Sequence, residues 1–214
     1  VTAGAAVQLR SGRILAVANV RAPTNSNDSG VRNYAIYSDD GGDTWDVSIN
    51  SPGLDAAEAK IAERNNGDLL MSTRHVKNRW FSISKNKGLT WEPYYVSQEI
   101  IEPGCNGDMV LYTSIKDGFD KNRLVHSIPF SQTSRSNLSI LISYDEGQTW
   151  PVKKPIYTGN AEYSSVSFLP DGRFAVYIEK RNSLGGYDMN VTTFTLEWLT
   201  DGADTYTPPK KLNE

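Results

Sequence analysis

Cysteine and histidine are scarce in this chain: Cys105 is the one cysteine, and His75 and His126 are the two histidines, in 214 residues. A single thiol excludes an internal disulfide framework and a cysteine-based zinc site, and two imidazoles are too few for most metal clusters. No metal or cofactor is expected. There is no basic run, and 22 Lys and Arg against 25 Asp and Glu leave a net charge of −3, which argues against nucleic acid or an anionic membrane as a main partner. No secretory leader, transmembrane span or lipidation motif is visible. No stretch sustains helical periodicity. The 38% hydrophobic content is enough for one soluble domain or a large piece of one.

The most informative feature is an octet written three times: Ser38-Asp-Asp-Gly-Gly-Asp-Thr-Trp45, Ser84-Lys-Asn-Lys-Gly-Leu-Thr-Trp91 and Ser143-Tyr-Asp-Glu-Gly-Gln-Thr-Trp150. The shared frame is Ser, x, Asp or Asn, x, Gly, x, Thr, Trp. Each fixed letter has a role in a hairpin turn. Asp40, Asn86 and Asp145 can bond the backbone two residues on, and Gly42, Gly88 and Gly147 supply a positive φ. The hydroxyls can satisfy remaining backbone groups, and the tryptophan buries a large ring beneath the turn. These aspartates are turn residues first and carry no catalysis.

The octets start 46 residues apart (84 − 38) and then 59 apart (143 − 84). Such periods, with four short strands per unit, belong to β-propeller blades. Short apolar or alternating runs fill the intervals: 5–9, 33–38, 58–62, 68–73, 80–84, 108–113, 124–128, 137–143, 164–169 and 173–178. Clusters such as Asn65-Asn-Gly67 and Pro170-Asp-Gly172 punctuate them. The expected fold class is all-β, a propeller.

In propellers the ligand usually sits over the central channel, so candidate groups fall at corresponding strand positions in successive blades. Glu58 opens a strand, Arg74 ends one, Arg135 precedes the strand into the third octet, and Tyr163 precedes the strand after it. Taken singly, a strand-end Arg is more often solvated or ion-paired, a Tyr half-buried packing, and a Glu exposed. The set carries more weight than its members.

The octets resemble the Asp boxes of the sialidase (exo-α-sialidase, neuraminidase) superfamily, and the segments between them resemble that family's catalytic segments in the same order. Ala57-Glu-Ala-Lys-Ile-Ala-Glu-Arg-Asn-Asn-Gly-Asp-Leu-Leu-Met-Ser-Thr-Arg74 is similar to the strand pair with the catalytic glutamate and the second arginine of a triad. Ser134-Arg-Ser-Asn-Leu-Ser-Ile-Leu-Ile-Ser143 resembles the segment of the third arginine, and Ala161-Glu-Tyr-Ser-Ser-Val-Ser-Phe-Leu-Pro-Asp-Gly172 that of the tyrosine nucleophile. Pro103-Gly-Cys-Asn-Gly107 resembles a pocket segment in which the family more often has Gln where this chain has Asn106. Asn19 and Arg21 lie where relatives contact the sugar's glycerol tail.

The resemblance implies a six-bladed propeller of which this chain supplies roughly four blades, acting on sialylated glycans, glycoproteins or gangliosides in a secreted, periplasmic or cell-surface setting. Arg74 and Arg135 would grip the sugar's carboxylate, because planar guanidinium groups are its best bidentate partners. That carboxylate would repel a carboxylate nucleophile, which makes neutral Tyr163 the attacking group. A phenol is a poor nucleophile at neutral pH, and Glu58 would be its base. The family's first arginine and its aspartate acid have no match, since residues 5–19 resemble mid-domain sequence. An amino-terminal segment or a second chain is therefore expected to complete residues 1–214. A transferase or intramolecular transferase on the same scaffold, and a non-catalytic Asp-box binding module, are the alternatives.

Overall fold

Alternation of apolar with polar residues sets most strands, and β13 (Phe174–Arg181) shows it plainly, with Phe174, Val176 and Ile178 buried between half-exposed neighbours. The computed structural model describes residues 6–21 and 30–210. Its first sheet joins β1 (Val7–Gln8), β2 (Ile14–Arg21), β3 (Val31–Ser38) and β4 (Asp46–Val47) in that order. A second joins β5 (Ala59–Glu63), β6 (Leu69–Thr73), β7 (Val76–Ser84) and β8 (Tyr95–Pro103). The third runs β9 (Asp108–Thr113), β10 (Arg123–Pro129), β11 (Ser136–Ser143), β12 (Val152–Phe168), β13 and β14 (Tyr187–Phe194).

Every neighbouring pair is antiparallel and consecutive in sequence. The third sheet is two units sharing one strand. Residues 152–160 of β12 pair with β11, and residues 161–168 pair with β13. Four blade-like meanders result, as the repeat spacing implied. Among the described residues, helix is confined to the 3-10 turn Ile115–Asp117 and the single turn Leu196–Leu199, capped by Thr195.

Three apolar clusters fill the seams. Leu9, Leu15 and Val17 of the first unit meet Ile61, Leu69 and Trp91 of the second. Leu70, Phe81 and Ile100 of the second meet Met109, Leu141 and Trp150 of the third. Tyr112, Val125 and Ile140 of the third meet Val166, Phe174 and Leu196 beyond. Burial between blades, more than within them, holds the arc.

Each octet caps the turn between a unit's third and fourth strands. Ser38 Oγ donates to Asp40 Oδ1 at 2.7 Å and accepts from Gly42 N at 2.8 Å, while Asp40 takes Thr44 N at 2.9 Å and Thr44 Oγ1 at 2.6 Å. The third octet repeats this with Ser143, Asp145, Gly147 and Thr149 at 2.7 to 2.8 Å for the same first three bonds, and at 2.6 Å for Thr149 Oγ1. In the second, Asn86 Nδ2 donates to Thr90 Oγ1 at 2.8 Å, reversing the proton. The glycines have φ of +107°, +87° and +91°. The Asp or Asn reaches the amide four residues on, where the sequence suggested two.

The strand expected over 5–9 pairs only at Val7–Gln8, and Ala5 lies outside the described residues. Strands β8 and β14 escaped the apolar pattern, because β8 carries Gln98, Glu99 and Glu102, and β14 turns Tyr187, Met189 and Val191 to solvent.

Candidate functional site

Glu58 and Arg74 are brought together by the β5–β6 ladder. Arg74 N donates to Glu58 O at 2.9 Å, one step past the last strand pair, which sets the two side chains side by side. Arg74 Nη1 then donates to both Glu58 oxygens at 3.0 Å. Both side chains are partly exposed. The base expected for the tyrosine is thus engaged by one of the expected clamp arginines.

Arg135 and Tyr163 meet across β11 and β12. Ala161 N donates to Arg135 O at 2.9 Å, and the Arg135 guanidinium lies 5.8 Å from the centre of the Tyr163 ring. Arg135 Nη2 also donates to Gly104 O at 3.3 Å. A Tyr163–Glu58 hydrogen bond is not among the contacts found among the described residues.

The end of β8 and the loop after it tie the two halves together. Glu102 is fully buried and accepts from His75 N at 2.8 Å, Cys105 N at 3.0 Å and Arg79 Nη1 at 3.2 Å. Arg79 Nη1 further donates to Cys105 O at 3.0 Å. The residue following Arg74 and the loop that contacts Arg135 are therefore fixed by one carboxylate. The buried Cys105 thiol is pushed up to about 11, because burial outweighs the positive charges of Arg135 and Arg74 that bear on it.

The sequence did not single out Glu162, Arg181, Glu102 or Arg79. Glu162 lies under Arg135 and Arg181: Arg181 Nε donates to its Oε1 at 3.1 Å, and Arg135 Nη1 pairs with its Oε2. Burial alone would raise the Glu162 carboxyl, but Arg181 and Arg135 hold it below the usual carboxylate range. On a regular strand Glu162 and Tyr163 would face opposite ways, but a register shift between Ala161 and Ser164 breaks that rule. Arg181 carried a signal, since it ends β13 as Arg74 follows β6.

The remaining candidates are placed as follows. Asn106 is buried in the loop following β8. Asn19 donates to Asn33 Oδ1 at 2.9 Å and Ala56 O at 3.2 Å, stitching β2 to the segment before β5. Arg21 ends β2, exposed. A cavity of about 310 Å³ opens between β1, β5 and β9, lined by Lys60, Glu63 and Asp108 among others, and none of the seven candidates lines it. Among the described residues there is no group of three or more metal-binding side chains, and no helix long and apolar enough to cross a membrane.

A family model described as a BNR repeat-like domain matches residues 1–176. The sialidase of Micromonospora viridifaciens is 31% identical over 170 residues, which cover 77% of this chain and 25% of that protein. Among solved structures, the Hadza microbial sialidase Hz136 superposes with a TM-score of 0.75 at 22% identity, covering 90% of this chain and 37% of its own. A leech intramolecular trans-sialidase complexed with 2,7-anhydro-Neu5Ac superposes at 0.74 and 23% identity, covering 92% and 32%. The fold is that of the sialidase propellers. The chain spans about a quarter of that curated relative.

Proposed function

Since the chain belongs to the BNR repeat-like domain family, we propose that it forms part of a retaining exo-sialidase that releases terminal α-linked sialic acids from glycoconjugates at the cell exterior. The observation that carries this reading is the strand-end cluster, in which Arg74 pairs with Glu58 while Arg135, anchored on Gly104 O, lies over the Tyr163 ring.

On this reading the substrate carboxylate competes for Arg74. Charge-assisted bonds from Arg74 and Arg135 to the sugar replace the Arg74–Glu58 pair, and Glu58 is released to take the Tyr163 proton. Tyr163 attacks the anomeric carbon and the aglycone leaves with a proton from a general acid. Water then attacks the tyrosyl glycoside, so two inversions give net retention. No metal or cofactor takes part in this scheme.

The acid and a further arginine would come from blades outside the chain, in a preceding segment or a second polypeptide. Trp45 supports this: it is 47% exposed, whereas Trp91 and Trp150, at the same place in their octets, are buried against the preceding unit. Hydrolysis of an aryl α-sialoside, with the complementing blades supplied, tests the site. Tyr163→Phe should lose about a hundredfold or more in kcat, and Arg135→Ala should raise KM. Full activity in Tyr163→Phe contradicts the assignment.

A further inference from the structure

Two arginines converge on one carboxylate beside the proposed nucleophile. Glu162 is almost wholly buried, yet each of its oxygens faces a guanidinium: Oε2 faces Arg135, and Oε1 faces Arg181. Arg135 and Arg181 themselves are partly exposed, so the pair is open to solvent on one side and closed by Glu162 on the other. Two positive charges stand against one negative charge. An arrangement of two planar forks around a carboxylate is the geometry that recognises a carboxylate ligand.

We propose that Arg135 and Arg181 form a two-guanidinium carboxylate seat with Glu162 as its built-in occupant, so that an acidic sugar binds by displacing Glu162. The inference rests on the functional reading above and adds Arg181, which that reading does not use, as a binding residue. Tyr187 offers the displaced carboxylate a landing place. Its hydroxyl accepts from Arg181 Nη2 at 3.1 Å, on the same guanidinium group that holds Glu162 Oε1. Displacement thus exchanges the bonds that the guanidinium groups make to Glu162 for bonds to the ligand, and the Tyr187 hydroxyl can donate to the displaced carboxylate. Glu162 acts as a threshold: neutral sugars cannot take its place, because they offer the two guanidinium groups no negative charge.

The test uses two readouts on the 214-residue chain. Labelling of arginines by phenylglyoxal, mapped by peptide mass spectrometry, reports the pair without any sugar. Glu162→Gln should raise labelling of Arg135 and Arg181 several-fold. Glu162→Asp, one methylene shorter, should fall between that variant and the unaltered chain, which also serves if Glu162→Gln folds poorly. Titration with N-acetylneuraminic acid and with its methyl ester, followed by NMR, reports the seat. Glu162→Gln should tighten the acid about tenfold and leave the ester unchanged, and Arg181→Gln should weaken the acid by a similar factor. Unchanged labelling, or, where the unaltered chain binds the acid, weaker binding in Glu162→Gln or unaltered binding in Arg181→Gln, would each overturn the proposal. Raised labelling with no acid binding in any protein supports the Glu162-held pair and sinks the sialoside reading instead.

Discussion

Trp45 and Trp150 occupy the same position in turns with the same hydrogen bonds, yet Trp45 is 47% exposed and Trp150 is 1% exposed. The indole of Trp45 bonds its own turn, donating to Gly42 O at 2.9 Å. Trp150 instead stacks on Phe81 of the preceding unit, with ring centres 6.4 Å apart and planes 17° apart. Trp91 follows Trp150, and Asn50 of the first unit clasps its backbone through bonds of 2.8 and 2.9 Å. The octet therefore encodes the turn, and a neighbouring blade supplies the burial. The first octet lacks such a neighbour among the described residues, and its turn forms regardless.

The widest separation expected from this contrast is in stability. Trp150→Ala removes a sealed indole and should cost about 3–5 kcal/mol, whereas Trp45→Ala should cost about 1 kcal/mol or less. Urea denaturation of both variants reads the difference, and equal losses would break the comparison.

A smaller effect separates the two regions by pH. His126 sits in the seam beside Trp150, its Nε2 2.9 Å from Ser72 Oγ and its Nδ1 3.1 Å from Ser127 O. Burial first, and then the positive charge of Arg79, hold its pKa well below the ordinary histidine value. The unfolded chain takes up a proton near pH 6.5 that the buried ring refuses. Stability should therefore fall by about 1.4 kcal/mol per pH unit below about 6.5, until the folded ring titrates. Melting curves between pH 7 and 5 check this, and His126→Gln should flatten the slope.

The smallest change expected is in the turn itself. Asn86 already does in the second octet what Asp145 does in the third, since each takes the amide of its threonine at 2.9 or 2.8 Å. Asp145→Asn should cost about 0.5 kcal/mol or less, as its thermal midpoint would show.

The legibility of the sequence divides along the same line. Local signals were readable: the octets, the strand alternation and the four-unit count all reappear in the sheets. The pairing of Glu58 with Arg74 was within reach, since both flank one hairpin. Glu162 was hidden, because a bulge in β12 defeats the two-residue period that would turn it away from Arg135. Glu102 was hidden for another reason. Its partners lie on separate elements, Arg79 on β7, His75 just before it and Cys105 in the loop after β8, and no spacing in the chain marks them as a set.

The mechanism proposed for Tyr163 has a stereochemical signature. Proton NMR of the sugar first released from an aryl α-sialoside, with the complementing blades supplied, distinguishes two displacements from one. Release of the α anomer, with the β form appearing only by later mutarotation, is the predicted result. Initial release of the β anomer would contradict a covalent intermediate on Tyr163.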